Sequence, residues 1–222
     1  MTGIAHSLPR HIFTQNHRME ADKNHWENIY RTKGPADLSW TQALPLSSLD
    51  FIHSFGLPKT ARIIDIGGGD SHLVEYLLDE GYSELTVLDI SGAAIQKAQQ
   101  RLGRRANQVQ WIEQDITRFN PNMSYDLWHD RATFHFLITP RQISLYLSAA
   151  RRAVHSGGYV VIGTFSARGP EKCSGLPVCR YSEEDLTRQL SRGFRKIRCI
   201  SEDHHTPPGT IQNFLFCSFR RK

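Results

Sequence analysis

Acids and glycines follow the apolar runs of this sequence at the points where buried strands would end. The run over 62–66 leads into three glycines at 67–69, and Asp89 closes the next run, 24 residues after Asp65. A glycine turn lets a ligand approach the backbone closely, because glycine carries no side chain. An acid at the end of the following strand can accept both hydroxyls of a ribose. Together these features predict a site for a nucleoside cofactor.

Each acid taken alone has a commoner use, since aspartate often caps helices or forms turns. Four acids at four successive strand ends favour the ligand interpretation: Asp65, Asp89, Asp115 and Asp130. The glycines do not form GxGxxG, which disfavours a dinucleotide site. The chain also lacks GxxxxGK[ST], which argues against a P-loop nucleotide hydrolase.

Alternating strands and helices must position these residues. Helical patterns cover 71–80, 92–102 and 140–153, and a further helix begins at Ser182. This alternation predicts an α/β three-layer sandwich around a mostly parallel sheet. No helix separates the last two strands, so the last strand should run antiparallel. Seven strands are expected, at 62–66, 84–91, 109–113, 125–129, 159–165, 195–202 and 213–221.

Two segments outside this alternation could cover a ligand. Residues 1–23 read as a flexible lead-in to a single domain over 24–222, and residues 24–43 as an N-terminal lid. The alternative for the lid is that its aromatic residues simply pack on the core. Residues 166–181 form a substrate-side loop, in which Cys173 and Cys179 are either small semi-buried residues or a thiophilic pair.

Composition limits the class of protein. With 39% hydrophobic residues the 222-residue chain can bury a core, and no apolar stretch reaches the roughly 18 residues that span a bilayer. The start of the chain has no secretory apolar region, and the four cysteines form no CxxC, so a reduced cytoplasmic protein is expected. The net charge of +5 is interpreted as exposed arginines and lysines rather than a nucleic-acid site, because no nucleic-acid-binding motif accompanies it.

These motifs resemble those of the class I S-adenosylmethionine-dependent methyltransferases over residues 24–222. Asp65, Gly67 and Gly69 match the family's acid-x-Gly-x-Gly-x-Gly motif, with Ser71 in place of the third glycine. The resemblance implies a Rossmann-like methyltransferase fold, with the glycines at 157–158 as the turn into the fifth strand, and S-adenosyl-L-methionine as cofactor. The implied cofactor-binding residues are Trp26, Tyr30, Trp40, Asp65, Gly67, Gly68, Gly69, Asp70, Asp89, Ile90, Asp115, Ile116 and Asp130.

Methyl transfer from a sulfonium is an in-line displacement, so the protein mainly aligns the reactants, and a base is needed only for a protonated nucleophile. The candidates for catalysis are His135, Asp130 and Tyr181, with His129 and the pair at 204–205 as further possible bases. No metal site is predicted.

Three functions remain open at this stage. The first is methylation of a small molecule, including soft sulfur, selenium or arsenic nucleophiles. The second is protein lysine methylation, because residues 130–133 (DRAT) resemble a segment of several protein lysine methyltransferases; it predicts an acidic rim and a narrow channel. The third is a regulatory protein that binds the cofactor without catalysis. Small-molecule partners are favoured, protein substrates are possible, and nucleic-acid and membrane partners are not expected.

Overall fold

Strands in which most residues are buried form the centre of the sheet, as expected for strands covered on both faces. The computed structural model describes residues 22–222. The strands of its main sheet are β1 (Arg62–Ile66), β2 (Glu84–Asp89), β3 (Val109–Glu113), β4 (Tyr125–Arg131), β5 (Val154–Phe165), β8 (Phe194–His205) and β9 (Ile211–Arg221). They lie in the order β3-β2-β1-β4-β5-β9-β8, with β1 to β5 parallel and β9 antiparallel to both of its neighbours. The predicted fold class is thereby confirmed.

Helices cover both faces of this sheet, and several begin at the capping residues visible in the sequence. Ser91 accepts a hydrogen bond from the Ala94 N–H, and Thr139 forms a capping box with Gln142. The helices are α1 (22–32), α2 (Leu46–His53), α3 (Leu73–Asp79), α4 (Gly92–Leu102), α5 (Pro140–Ala153) and α6 (Glu183–Leu190). No helix within residues 22–222 has the length and apolar character to cross a bilayer.

Alternation along β4 divides the core into two parts. Trp128 packs with α5 and α6 on one face, whereas its neighbour Leu127 packs with α2 and α3 on the other. Because successive side chains of a strand point to opposite faces, each residue at the end of β4 has its direction fixed by this pairing. For the same reason, the successive side chains of Asp130 and Arg131 at the end of β4 point to opposite faces of the sheet.

The structure corrects three sequence expectations about local elements. The fifth strand begins at Val154 and not after a turn at 157–158. The pairing of β4 with β5 shifts in register between Tyr125 and Leu127, and Gly157, whose φ is +87°, lies in the extra length of β5 at this irregularity. The loop at 166–181 contains a short hairpin of β6 (Lys172–Cys173) and β7 (Leu176–Pro177). Of the predicted lead-in, residues 1–21 lie outside the described residues, and residues 22 and 23 already belong to α1.

A fourth correction concerns the cysteines. The sequence predicted reduced thiols, but Cys199 and Cys217 form a disulfide between β8 and β9. Their positions are directly paired in the antiparallel ladder, which brings the two side chains together on one face. Cys173 and Cys179 are free thiols.

Candidate functional site

The glycine turn after β1 is packed too closely to accept side chains. Gly67 has a φ of +66°, and its N–H donates to the Leu88 carbonyl at 2.6 Å. A Cβ at Gly67 would lie 1.8 Å from Thr133 Oγ1, and one at Gly69 would lie 2.5 Å from Asp89 Oδ2. The turn therefore lies against the ends of β2 and β4 with backbone atoms only, which is the close approach that the sequence predicted.

Two cavities flank this turn. The glycine-turn cavity is lined by the turn itself together with Asp65, Asp70 and Ser48. The main cavity lies over the ends of β2 and β3, where Asp89, Ile90, Asp115 and Ile116 line it. The structure thus brings together, in one concave site, the residues that the sequence assigned to the ribose and adenine. Their binding of a cofactor remains a prediction.

Asp89 is the buried acceptor of the main cavity. Its side chain is about 5% exposed, and Oδ1 accepts the Ser91 N–H at 2.8 Å. Burial, together with the nearby negative charges of Asp65 and Glu27, raises the pKa of this carboxyl to about 7, against the opposing effect of hydrogen bonds from Ser91 and Gly69. No cation among residues 22–222 pairs with this carboxylate, so hydroxyl donors of a ligand would stabilise its ionised form.

Affinity for a ribose should consequently depend on pH. With a pKa near 7 in the free protein, Asp89 is mostly ionised at pH 8 and about one tenth ionised at pH 6. Because ribose hydroxyls donate to the carboxylate, we expect the Kd for 5′-methylthioadenosine to rise ~10-fold as the pH falls from 8 to 6. Calorimetry at both pH values checks this, since 5′-methylthioadenosine lacks the amino-acid groups that would titrate. A flat profile in the native protein would contradict the assignment, and Asp89→Asn should remove the dependence.

The N-terminal lid lies over the same cavity. Trp26, Tyr30 and Trp40 all line it, and the Trp40 Nε1–H donates to the Tyr30 hydroxyl at 3.2 Å. The Trp26 ring is 5.0 Å from the ring of Phe136. Helix α1 is joined to the start of α4, because Glu27 accepts the Gly92 N–H at 2.6 Å. The aromatic residues therefore form a wall of the site, in addition to contributing packing.

Asp130 lies outside both cavities, although the sequence predicted it for cofactor binding and catalysis. It is fully buried, and Oδ1 accepts the N–H groups of Thr133 (3.0 Å) and Phe134 (3.2 Å). Its Oδ2 accepts the Tyr146 hydroxyl at 2.7 Å, and burial raises its pKa to about 6. Asp130 thus fixes the turn that follows β4.

The other predicted catalytic residues are also removed from the cavity walls. His135 is fully buried, its Nδ1 lies 3.4 Å from the Phe165 N–H, and burial together with Arg131 lowers its pKa to about 3. Tyr181 is buried beside Cys179, and burial raises the pKa of its phenol. A neutral histidine with so low a pKa is a poor base, so the structure offers no support for these roles. His204, another candidate, lies in β8, and its Nε2–H donates to the Ser39 carbonyl at 2.7 Å.

Asp65 and Asp70 meet protein partners at the glycine-turn cavity. Asp65 Oδ1 lies 2.7 Å from His129 Nδ1, and His129 Nε2 lies 2.9 Å from Ser48 Oγ. Asp70 pairs with Arg101. Sequence reasoning considered His129 only as a base and missed Ser48, because their contact joins α2 to β4 across 81 positions.

Arg131 is the main functional candidate that the sequence missed. It lines both cavities, directly beside the glycine turn and the lid. The motif at 130–133 contains this arginine directly after Asp130, but only the acid was predicted as a site residue.

Comparison with known proteins supports the cofactor assignment. Residues 64–160 match the family described as "Methyltransferase domain". The chain is 26% identical over 160 residues to the mouse (Mus musculus) eEF1A lysine and N-terminal methyltransferase, covering 68% of this chain and 23% of that protein. It is 27% identical over 164 residues to malonyl-[acyl-carrier protein] O-methyltransferase 1 of Ilyobacter polytropus, covering 69% and 59%. The chain therefore spans about a quarter of the mouse relative's length.

A solved structure extends the likeness to the fold. The Burkholderia thailandensis 1,6-didemethyltoxoflavin-N1-methyltransferase, solved with bound 1,6-didemethyltoxoflavin and S-adenosylhomocysteine, aligns with a TM-score of 0.67 at 16% identity, covering 100% of this chain and 93% of that one. The site fits S-adenosylmethionine, because the turn at 67–69 excludes side chains and Asp89 is a buried acceptor in need of donors. Residues 64–160 thus form a methyltransferase domain, and the chain has the fold of the class I S-adenosylmethionine-dependent methyltransferases.

Proposed function

We propose that this methyltransferase transfers the methyl group to a small-molecule acceptor. The observation that carries the proposal is the apolar wall of the main cavity formed by Phe136, Leu137, Leu176 and Pro177, which come from the segments after β4 and β5 and not from the ends of β2 and β3. The carboxylates that line the described part of this cavity lie elsewhere: Asp22 comes from α1, and Asp89 and Asp115 follow β2 and β3. An apolar wall with few polar groups suits a small organic molecule.

When bound, S-adenosylmethionine supplies an activated methyl group, and this chain's residues align the reactants and exclude water. The lid aromatics Trp26 and Trp40 and the β6–β7 hairpin cover the site. No histidine lines the described part of the main cavity, and burial raises the pKa of both Tyr30 and Cys173. The proposal therefore favours acceptors that arrive deprotonated, such as a carboxylate, a thiolate or a neutral amine.

A soft nucleophile remains one version of this proposal. Only Cys173 of the two free thiols lines the main cavity, whereas Cys179 Sγ points to the Leu137 carbonyl at 3.7 Å. Burial raises the pKa of Cys173 to about 11, so its thiol is protonated at neutral pH and is a weak ligand for thiophilic atoms. Of the two cysteines proposed as a thiophilic pair, only Cys173 is therefore placed to contact a ligand in the main cavity.

Protein lysine methylation is the second candidate. It is favoured by the likeness to the mouse eEF1A lysine and N-terminal methyltransferase. Against it, the apolar wall carries no acidic rim among the described residues, and Arg131 would repel a lysine ammonium. We therefore place it behind the small-molecule proposal.

Transfer of labelled methyl groups separates the two candidates. We expect the protein, incubated with methyl-labelled S-adenosylmethionine and a cell lysate, to place label in the small-molecule fraction. Asp89→Ala should abolish this label, because it removes the proposed ribose acceptor. Label confined to a protein band would contradict the small-molecule proposal and support lysine methylation. Absence of label from both fractions would contradict both.

A further inference from the structure

Arg131 has two unpaired hydrogen-bond donors beside the site, as counted among the described residues. It ends β4, and its Nη1–H donates to the Trp40 carbonyl at 2.7 Å. The guanidinium carbon lies 4.8 Å from the centre of the Phe214 ring. Its Nε and Nη2 are buried, and neither has a hydrogen-bond partner among residues 22–222. Buried donors without partners are unfavourable and uncommon, so these two N–H groups call for an acceptor that the chain itself does not supply.

The arginine also lacks a counter-ion. Arg101, Arg105 and Arg198 each pair with a carboxylate of the chain, but Arg131 forms no ion pair with any described carboxylate. Glu202, the acid that influences it most, is hydrogen-bonded to Gln42 and Ser47 instead. Burial lowers the pKa of Arg131 only to about 10, so it remains charged at neutral pH. A buried charge of this kind is stabilised when an anion joins it.

Arg131 borders the glycine turn on one side, and its other neighbours lie in the acceptor half of the molecule. Phe214 comes from β9, Glu202 from β8, and the thiol of Cys173, whose pKa Arg131 lowers, comes from β6. These strands belong to the half of the molecule beyond β4, away from the ribose and adenine positions on β2 and β3. A guanidinium next to a sulfonium cofactor is repelled by it, and an anion between the two positive groups relieves this repulsion.

We propose that Arg131 binds a carboxylate of the methyl acceptor, so that the substrates are small organic acids with an apolar body. This inference rests on the proposed function, which it narrows. The planar guanidinium offers Nε and Nη2 side by side, the arrangement that grips both oxygens of a carboxylate. The apolar wall at 136–137 and 176–177 then receives the body of the acid.

Paired probes test the preference for an acid. The protein is saturated with S-adenosylhomocysteine and titrated with benzoate and with benzamide, which share a ring and differ in charge, while tryptophan fluorescence reports occupation near Trp40. We expect the native protein to bind benzoate ~10-fold or more tightly than benzamide, as two charge-assisted hydrogen bonds imply. Arg131→Gln should bring the two affinities within about twofold, and Arg131→Lys should keep part of the difference by retaining the charge.

Controls distinguish the sources of the effect. Arg105→Gln removes an exposed arginine that pairs with Asp79, and it should leave the benzoate preference intact. Circular dichroism confirms that the Arg131 variants fold. If Arg131 instead serves the cofactor's own carboxylate, Arg131→Gln will weaken S-adenosylhomocysteine ~10-fold or more and leave 5′-methylthioadenosine, which lacks that group, unchanged.

That last result would overturn the inference. So would equal affinities of the native protein for benzoate and benzamide, or a preference for benzoate that survives in Arg131→Gln. None of these three results contradicts the proposed function, provided that S-adenosylhomocysteine binds and that small molecules accept the methyl label. Failure of the native protein to bind S-adenosylhomocysteine contradicts the proposed function itself.

Discussion

Asp89→Ala is expected to weaken the binding of S-adenosylhomocysteine by about 100-fold or more. The carboxylate is buried at the end of β2 and lines the main cavity, where both ribose hydroxyls of the ligand can donate to it. Hydrogen bonds to a charged group contribute roughly 1.5–3 kcal/mol each, so the loss of two amounts to about 3–6 kcal/mol. Each 1.4 kcal/mol corresponds to a factor of about ten in the Kd, which calorimetry at pH 8 measures directly.

Asp126→Ala is the matched control for this variant. Asp126 is also an aspartate in a strand, and it accepts the backbone N–H of Arg62 at 2.8 Å. It lies near the start of β4, at the amino ends of the parallel strands and not at the carboxyl ends that line the cavities. Its removal should lower the thermal midpoint and leave the Kd for S-adenosylhomocysteine within about twofold. Unchanged affinity in a folded Asp89→Ala protein would contradict the ribose assignment and, with it, the placement of the cofactor.

The cofactor half of the fold could be predicted because its signals are local. The strand at 62–66 contains three isoleucines, the glycines follow it directly, and Ser91 caps the helix after the next strand with its own side chain. A buried parallel strand, a tight turn and a helix start each leave a mark within a few residues. Asp89, Ile90, Asp115 and Ile116 followed from strand ends alone, and all four line the main cavity.

The acceptor half depends on register, which the sequence does not display. Strand β4 continues to Arg131, two residues beyond its predicted end, and alternation then turns Asp130 toward Tyr146 and Arg131 toward the cavities. A prediction based on residue type alone favours the acid, whereas the pleat of the strand selects the arginine. The structure therefore gives no support to the catalytic assignment of Asp130, because of the direction of its side chain rather than its position along the chain.

The disulfide was hidden for the same reason. Lys196 pairs with Phe219, and regular pairing from there would bring Arg198 opposite Cys217. A register shift between Lys196 and Arg198 inserts one residue and places Cys199 opposite Cys217 instead. A bulge of one residue exchanges the faces of every later side chain, and nothing in the local sequence marks this one.

Gly67→Ala should destabilise the fold and remove cofactor binding together. A Cβ at this position would lie 1.8 Å from Thr133 Oγ1, which donates to the Ile66 carbonyl at 3.1 Å, so the turn or the residues after β4 must move. The φ of +66° adds the strain of a left-handed alanine. We expect a loss of about 2–4 kcal/mol in the free energy of unfolding, from strain and overpacking combined, and weaker binding of S-adenosylhomocysteine by more than about tenfold.

Gly81→Ala separates the strain from the close contact. Gly81 has a φ of +88°, but no atom lies within 4 Å of the Cβ it would gain, so only the conformational penalty of about 1 kcal/mol is expected. Denaturant unfolding of both variants gives the difference. The double variant Gly67→Ala with Thr133→Ala tests its origin, because removal of Oγ1 leaves the nearest Thr133 atom, its Cβ, at 3.1 Å and should restore part of the stability. Additive losses in the double variant, or equal losses at Gly67 and Gly81, would show that the turn tolerates a side chain and that its glycines serve backbone conformation alone.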